Sequence, residues 1–439
     1  MILCDLFPPA FGPRMGYLCK YLQINGWNPV VITEDVAEYT FSFLAQQLQE
    51  LKIDITYIRY YRKKGWIGKV EWGWAFVRDI LYNYKDKRLC HIALQKMKQQ
   101  RFDLIVCSTY RTFPMRAAAR LARKKRLPLV IDLRDIIEQY TGNEFITHPL
   151  PKLFGLDKQI ASVFRKSNLK IRNRILGQAA YVTTISPWHV AVLSAYNANT
   201  CLIYNGYDPE LFYPDNRQAD KFYITYTGRL LSAAMRDPEL LFQALQRLAD
   251  EGTITPESFR IRWYVDKKSE DIITVTASKY AGIAPYMGYY GYIPASEIPK
   301  TLNESAILLV LTNKATASGD PQDAMTELKK NDIQDEKSTF ASNGPRGVMT
   351  TKLFESLAVG KPVLCVRGDE GCIEEVINQT RSGLSAHTAH EVYDFIKRHY
   401  MRWKAGLPYE DSSDREEIKK FSREAQAKQF MDMIRQVCT

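Results

Sequence analysis

The sequence predicts an α/β protein of two Rossmann-like domains, and three observations carry that expectation. At 439 residues the chain is too long for one ordinary core. Its first half alternates strand-type and helix-type runs, and the alternation starts again after a turn-rich stretch. In the first half, apolar runs of strand length stand at Ile2–Leu6, Val30–Thr33, Ile53–Ile58, Leu104–Cys107, Leu129–Asp132 and Tyr181–Ile185. Helical patterns lie between them, for example Tyr17–Asn25 and Met115–Lys125. A short strand at Cys201–Tyr204 leads into Tyr204-Asn-Gly-Tyr-Asp-Pro-Glu-Leu-Phe-Tyr-Pro214, which is dense in turn residues. Strands are then expected at Tyr223–Thr227, Arg260–Val265, near Tyr289, at Ala306–Leu311 and at Pro362–Val366. The matching helices are Asp237–Asp250, Ala295–Asn303, Thr351–Ala358 and Ala389–Tyr400. This gives domains at 1–205 and 206–414, whose facing sheet edges would form a site cleft. A polar amphipathic helix follows over 415–437. Residues 313–345 lose the apolar pattern and read as a long mobile loop beside the site.

Composition narrows the class. Hydrophobic residues make up 46% and charged residues 25%, as in a soluble globular protein. The longest apolar runs fall well short of a membrane span. Met1-Ile-Leu-Cys-Asp5 has no basic segment followed by a long apolar one, so no signal peptide is expected. Eight scattered cysteines form no Cys-x-x-Cys and no Cys/His cluster, which predicts a reduced cytoplasmic chain without structural zinc. The net charge of +11 calls for a partner or a surface. Nucleic acid is one option. An anionic membrane face is another, because Trp66, Trp72, Trp74 and several tyrosines interleave the first basic region, Arg62-Lys63-Lys64 onward. The run from Arg120 to Arg126 reads instead as the solvated face of a helix.

The chemistry is concentrated in Gly347-Val-Met-Thr-Thr-Lys-Leu-Phe-Glu355-Ser-Leu-Ala-Val-Gly360-Lys-Pro-Val-Leu-Cys-Val366. Leu353, Phe354, Leu357 and Ala358 share a helical face, Gly360 is placed as the C-cap, and Pro362 stops the helix before a strand. The helix starts at a turn comprising Gly347, Thr350 and Thr351, whose free N–H groups suit a phosphate. Glu355, about one turn further in, could accept from ribose hydroxyls. An ordinary αβ unit with a surface glutamate is the plain alternative. Farther upstream, Thr227-Gly228-Arg229 closes a strand and leads to Arg236, so two cations follow a strand end; Lys352 is a third candidate for phosphate charge. In the first half, Leu6-Phe-Pro-Pro-Ala-Phe-Gly12-Pro-Arg14-Met-Gly16 joins a strand to a helix, and its glycines would let backbone approach a substrate. The spacing is not that of a dinucleotide loop. Asp132-Leu-Arg134-Asp135 ends another strand and offers two carboxylates, either for chemistry or for an Arg–Asp structural pair. Of six histidines none is a convincing base: His189 reads as packing a helix start, and His148 has no identifiable partner.

Together these segments resemble the GT-B glycosyltransferases, in particular the large retaining family that uses sugar nucleotides. The resemblance spans nearly the whole chain and includes Ile203-Tyr-Asn-Gly-Tyr-Asp208-Pro-Glu-Leu-Phe212, similar to that family's interdomain signature. It implies that the last helix crosses back to the first domain. It also implies that Glu355 binds the ribose, and that Gly228, Arg229 and Arg236 bind the donor diphosphate, Arg236 replacing the family's lysine. The family has a second glutamate eight positions earlier, where this chain has Gly347. The implied reaction is transfer of a sugar from a nucleotide-diphosphate sugar to a hydroxyl of a glycan or lipid-linked acceptor, with retention. No metal is expected, since cations would neutralise the leaving group, and no enzymic base is required if the departing phosphate takes the proton. A sugar-nucleotide epimerase of the same fold and a basic nucleic-acid-binding protein are the rival readings.

Overall fold

The computed structural model describes residues 1–36, 39–61, 65–139, 156–215, 219–230, 233, 236–312, 349–369, 371–407 and 412–438. The chain divides into two compact units. The first holds the described residues of Met1–Tyr204 and those from Gln426 on; the second holds the described residues between Asn205 and Ala425.

In the first unit, β1 (Ile2–Cys4), β2 (Val30–Glu34), β3 (Asp54–Ile58), β4 (Ile105–Thr109), β5 (Leu129–Leu133), β6 (Tyr181–Thr184) and β7 (Thr200–Leu202) form one parallel sheet. Their order is β3-β2-β1-β4-β5-β6-β7. The crossovers are α1 (Pro13–Ile24), α2 (Ser42–Glu50), α3 (Gly65–Tyr82), α4 (Tyr84–Gln99), α5 (Met115–Lys125), α6 (Leu156–Leu176) and α7 (Pro187–Leu193). Alternation along each strand sorts its side chains into two cores. Leu3, Ile32, Cys107 and Ile131 enter one, packed by α4 and α5. Ile2, Cys4, Val31, Val106 and Val130 enter the other, packed by α1 and by residues of the C-terminal helix.

The second unit repeats the plan with β8 (Phe222–Thr227), β9 (Phe259–Tyr264), β10 (Met287–Tyr289), β11 (Ile307–Leu311), β12 (Val363–Val366) and β13 (Gly383–Ala386), ordered β10-β9-β8-β11-β12-β13. Its helices are α8 (Glu239–Asp250), α9 (Lys267–Ala277), α10 (Ile298–Asn303), α11 (Thr351–Val359), α12 (Cys372–Thr380), α13 (Ala389–Lys404) and α14 (Arg415–Lys419). One aromatic-rich core, centred on Trp263, Phe222, Phe259 and Tyr400, fills the space under β8 and β9.

The strands expected from sequence are all present with ends shifted by one or two residues. β13 was not expected: Gly-Leu-Ser-Ala carries little strand character, and it is an edge strand held by β12 alone. The single C-terminal helix expected over 415–437 is in fact two, α14 and α15 (Arg423–Cys438). The break has a cause in backbone pairing. Tyr207 N–H donates to Phe421 O, and Arg423 N–H donates back to Tyr207 O, so the helix is interrupted over 420–422. Phe421 stacks on Phe354 of α11 at 5.1 Å. Ala427, Phe430 and Ile434 of α15 then join the first unit's core.

The loop after β1 is closely packed. Space at Gly12 and Gly16 is filled by the chain itself: an added Cβ would lie 2.6 Å from Leu6 O and 2.7 Å from Pro8 Cγ, respectively. These glycines let the loop pack closely onto α1. Arg14 is buried and grips Asp132, with Nε 3.0 Å and Nη2 2.9 Å from Oδ1. Its Nη1 donates to Tyr204 O at 2.8 Å, and Phe430 lies 5.1 Å from the guanidinium. Ser108 and Thr183 hydroxyls complete the carboxylate's shell at 2.7 Å each. Although burial works the other way, Arg14 and these hydroxyls hold Asp132 below the ordinary carboxylate range. Arg14 is therefore a strut between α1 and β5, not a ligand group. Arg14→Met should cost about 3–5 kcal/mol in urea unfolding, because it leaves a buried carboxylate without its cation. Adding Asp132→Asn should restore much of that loss; equal stability of Arg14→Met and wild type would show that the pair holds nothing.

Candidate functional site

In an open parallel sheet the crevice lies at the carboxyl ends of the strands, where the strand order reverses. In the second unit that point is between β8 and β11. β8 ends at Thr227, and Gly228 turns the chain with φ +111°, a conformation that favours glycine. A second constraint acts there. A Cβ on Gly228 would sit 1.8 Å from Lys352 Nζ, so the lysine lies across the glycine. The ammonium also stands 5.1 Å from the Tyr226 ring centre, a cation–π platform at the end of β8.

Lys352 is the second residue of α11, whose N-cap Thr350 is extended (φ −108°, ψ 138°) and gives no side-chain hydrogen bond to the helix. Two other helices at these strand ends are closed. Asp266 caps α9 through Ser269 N at 2.9 Å, and Asp369 accepts from Gly371, Ile373 and Glu374 N–H groups before α12. Of these three helix starts, the one at Thr351 is left without a carboxylate cap among the described residues, as an anion site requires. Gly360 ends α11 with φ +70°, the left-handed C-cap expected from sequence.

Arg236 reaches the same point from the other side. Its Nη1 donates to Leu311 O at 2.6 Å, fixing a guanidinium at the end of β11. Arg229 is more exposed; its Nε donates to Tyr292 OH at 2.7 Å and lies 3.5 Å from Asp266. Among the described residues no carboxylate forms an ion pair with Lys352 or Arg236. The electrostatic consequence is direct. Burial, then the charges of Arg236 and Arg229, push Lys352 down to about 7, with Glu355 opposing. Glu355, half-buried on α11, is pushed up to about 7 by burial, with Arg423 and Lys352 opposing. Gly228, Arg229, Arg236, Lys352, Thr350, Thr351 and Glu355 thus gather around one helix start, whereas Gly347 lies outside the described residues.

Sequence reasoning missed Tyr226 and Arg423. Tyr226 looked like one more alternating residue of β8, and Arg423 looked like part of a polar helix. Arg367, after β12, is a further cation, but Asp237 at 2.9 Å binds it into the framework.

Asp135 belongs to the first unit, at the end of β5. Burial pushes its carboxyl up, while Gln139 Nε2, donating at 2.9 Å, and Arg134 pull it down. Arg134 pairs with Asp5 at 2.7 Å rather than with its sequence neighbours. Gln139 Oε1 is 3.0 Å from His189 Nε2, and Thr184 Oγ1 is 3.2 Å from Nδ1. Burial holds His189 near 4, so the ring is neutral, and its backbone N–H is capped by Ser186. His148 and the segment Arg62-Lys63-Lys64 lie outside the described residues. All eight cysteines are free thiols.

No protein-family model matches the chain, and no curated protein does. Solved structures match it over nearly its full length. HepE of Anabaena, solved in complex with UDP, shares 14% identity at TM-score 0.59, with 99% of each chain covered. Sucrose-phosphate synthase of Thermosynechococcus elongatus shares 15% at TM-score 0.59, covering 99% of this chain and 98% of that one. A glycosyltransferase of Rickettsia africae shares 14% at TM-score 0.57, with 99% and 98% covered. The chain has the two-domain α/β fold of the GT-B glycosyltransferases.

The lysine makes a measurable prediction. A diphosphate settling among Lys352, Arg236 and the helix start favours the ammonium, so binding should take up a proton near pH 7–8. Affinity for a nucleotide-diphosphate sugar should accordingly fall as pH rises through about 7. Calorimetric titration in buffers of unlike ionisation enthalpy reads the uptake, and Lys352→Met should abolish it. Binding heats that do not depend on the buffer would mean that Lys352 does not meet the anion.

Proposed function

We propose that this protein is a metal-independent glycosyltransferase of hexosyltransferase type, moving a sugar from a nucleotide-diphosphate sugar to a hydroxyl of a glycan or lipid-linked acceptor, with retention. We place the reaction in surface polysaccharide synthesis. The observation that carries the reading is the pair Lys352 and Arg236, held at an uncapped helix start without a carboxylate partner among the described residues. Fixed cations and helix amides aimed at one point stabilise charge that develops there, and a leaving diphosphate develops it. Arg229 extends the cationic wall, and Glu355 is placed one turn in, where ribose hydroxyls would donate to it. HepE, similar in fold, is solved with UDP, and the same ligand class suits this set of groups.

In the transfer, the bond from the sugar's anomeric carbon to the diphosphate oxygen breaks, and a bond to the acceptor oxygen forms on the same face. The acceptor's proton passes to the departing phosphate oxygen. The protein supplies orientation and charge, and Asp135 is the carboxylate we assign to the acceptor side. The epimerase alternative draws no support from the described residues of this site, whose cations suit phosphates and among which no carboxylate pairs with Lys352 or Arg236.

Two measurements test the reading. A thermal-shift screen over nucleotide diphosphates should raise the melting temperature for at least one base. Glu355→Gln should reduce that shift without lowering the melting temperature of the free protein; an unchanged shift would remove Glu355 from the ribose. Transfer should persist in excess chelator, because side-chain cations neutralise the leaving group. Loss of activity with EDTA, restored by magnesium or manganese, would show that the cations do not suffice.

A further inference from the structure

One helix of the first unit is amphipathic in the inverted sense. Residues that α3 buries are small, Gly68 and Ala75. Its solvent face is apolar: Trp66 is 75% exposed, Val70 62%, Trp74 64% and Leu81 63%, with Val77 between them. At about 100° per residue these five side chains fall within an arc of about 80°, a single stripe along the helix. Trp72, which sequence grouped with the other two, turns away and stacks on Phe76 at 5.5 Å. A contiguous exposed stripe of this kind marks an interaction surface rather than scattered surface apolarity.

Charge decides what the stripe meets. Lys69 flanks one edge and Arg78 the other, and both are exposed. The helix's two acidic residues, Glu71 and Asp79, are half-buried, and Asp79 is engaged by Lys85 N–H at 2.8 Å. Past the helix end, exposed Lys87 stands 5.9 Å from the exposed Tyr82 ring. A second copy of this chain is a poor partner, since a two-fold contact would bring equal cationic rims together on proteins of net charge +11. A bilayer with anionic headgroups satisfies both features. Indole rings favour the boundary between headgroups and acyl chains, and lysine and arginine favour anionic headgroups. No described helix is long and apolar enough to cross a membrane. A helix of this kind lies in the plane of the interface, its apolar face about 5–10 Å deep.

We infer that α3 is a membrane-binding element, lying along an anionic bilayer surface with Trp66 and Trp74 inserted and Lys69 and Arg78 among the headgroups. This surface is separate from the cationic crevice of the second unit, and its test needs no sugar nucleotide. Failure here would leave the transfer reading standing, and failure of transfer would leave this one.

The probe is vesicle flotation with the full chain, using phosphatidylcholine alone and phosphatidylcholine mixed with phosphatidylglycerol. Wild type should float with the mixed vesicles, stay behind with the neutral ones, and be released by high salt. Its tryptophan emission should shift to the blue on binding. Replacing Trp66, Val70, Trp74 and Leu81 together with serine should abolish flotation while leaving the thermal melt unchanged, since none of these side chains is in the core. Lys69→Gln and Arg78→Gln, made separately, should each weaken binding about fivefold, the equivalent of about 1 kcal/mol for one cation near such a surface. The inference is overturned if wild type ignores anionic vesicles, or if the fourfold variant floats as well as wild type. It is also overturned if wild type is a dimer that the fourfold variant converts to monomer, because the stripe would then be a contact between copies.

Discussion

A parallel strand must be followed by a crossover before its neighbour can form, so the carboxyl ends of all strands fall along one edge of the sheet. Both sheets here are parallel throughout, and each reverses its strand order once, between β1 and β4 and between β8 and β11. Those two crevices are equivalent in architecture and opposite in chemistry. In the first unit the two aspartates nearby are both engaged. Thr109 and Arg134 both donate to Asp5, and Arg14, Ser108 and Thr183 saturate Asp132. In the second unit Lys352 and Arg236 stand together, and their described contacts are an aromatic face, a glycine and a backbone carbonyl.

Holding like charges together opposes the ionised form of each, which is why Lys352 lies so far below an ordinary lysine. A flexible lysine would swing away into water. Here the side chain is kept across Gly228 by the absence of any Cβ, and over Tyr226 by its ring. The helix beneath it adds amide dipoles in the same direction. The second unit thus keeps a region of positive potential fixed before any ligand arrives, so little reorganisation is needed when negative charge develops. Glu355 shows the complementary effect: it sits near cations yet is pushed toward neutrality by burial, the largest influence on it.

Most of the fold was legible because its elements carry strong local signals. Short apolar runs marked the strands, and Gly360 followed by Pro362 ended α11 where its left-handed φ does. What was not legible depends on contacts distant in sequence. β13 exists because β12 offers it a partner, and the break between α14 and α15 exists because Tyr207 pairs with residues 421–423. Arg14 looked like a loop cation beside two glycines; its carboxylate lies 118 residues away. At the second unit's site, Arg236 and Lys352 were identifiable as cations near strand and helix ends, but the crossing of Lys352 over Gly228 was not. No local pattern encodes a lysine and a glycine that meet from elements more than a hundred residues apart.

The net charge of +11 illustrates why a count of cations says little until each one's surroundings are known. The densest basic run, along α5, is a solvated face: Arg120, Arg123, Lys124 and Lys125 are exposed while Met115, Ala118, Leu121 and Ala122 are buried. Other arginines are framework. Arg172 grips Glu138 through two contacts of 2.6 Å, and Arg14, Arg134 and Arg367 each hold a buried aspartate. Among the described residues, the cations that remain distinctive beside those two groups include the pair at the α11 start and the rim of the α3 stripe. A nucleic-acid groove would need its basic residues ranged along one face with aromatics stacked between them. Instead the exposed tryptophans lie on one helix in the first unit, and the close-set cations lie in a crevice of the second. One arrangement suits a compact polyanion and the other a lipid surface, and neither depends on the basic excess of the chain as a whole.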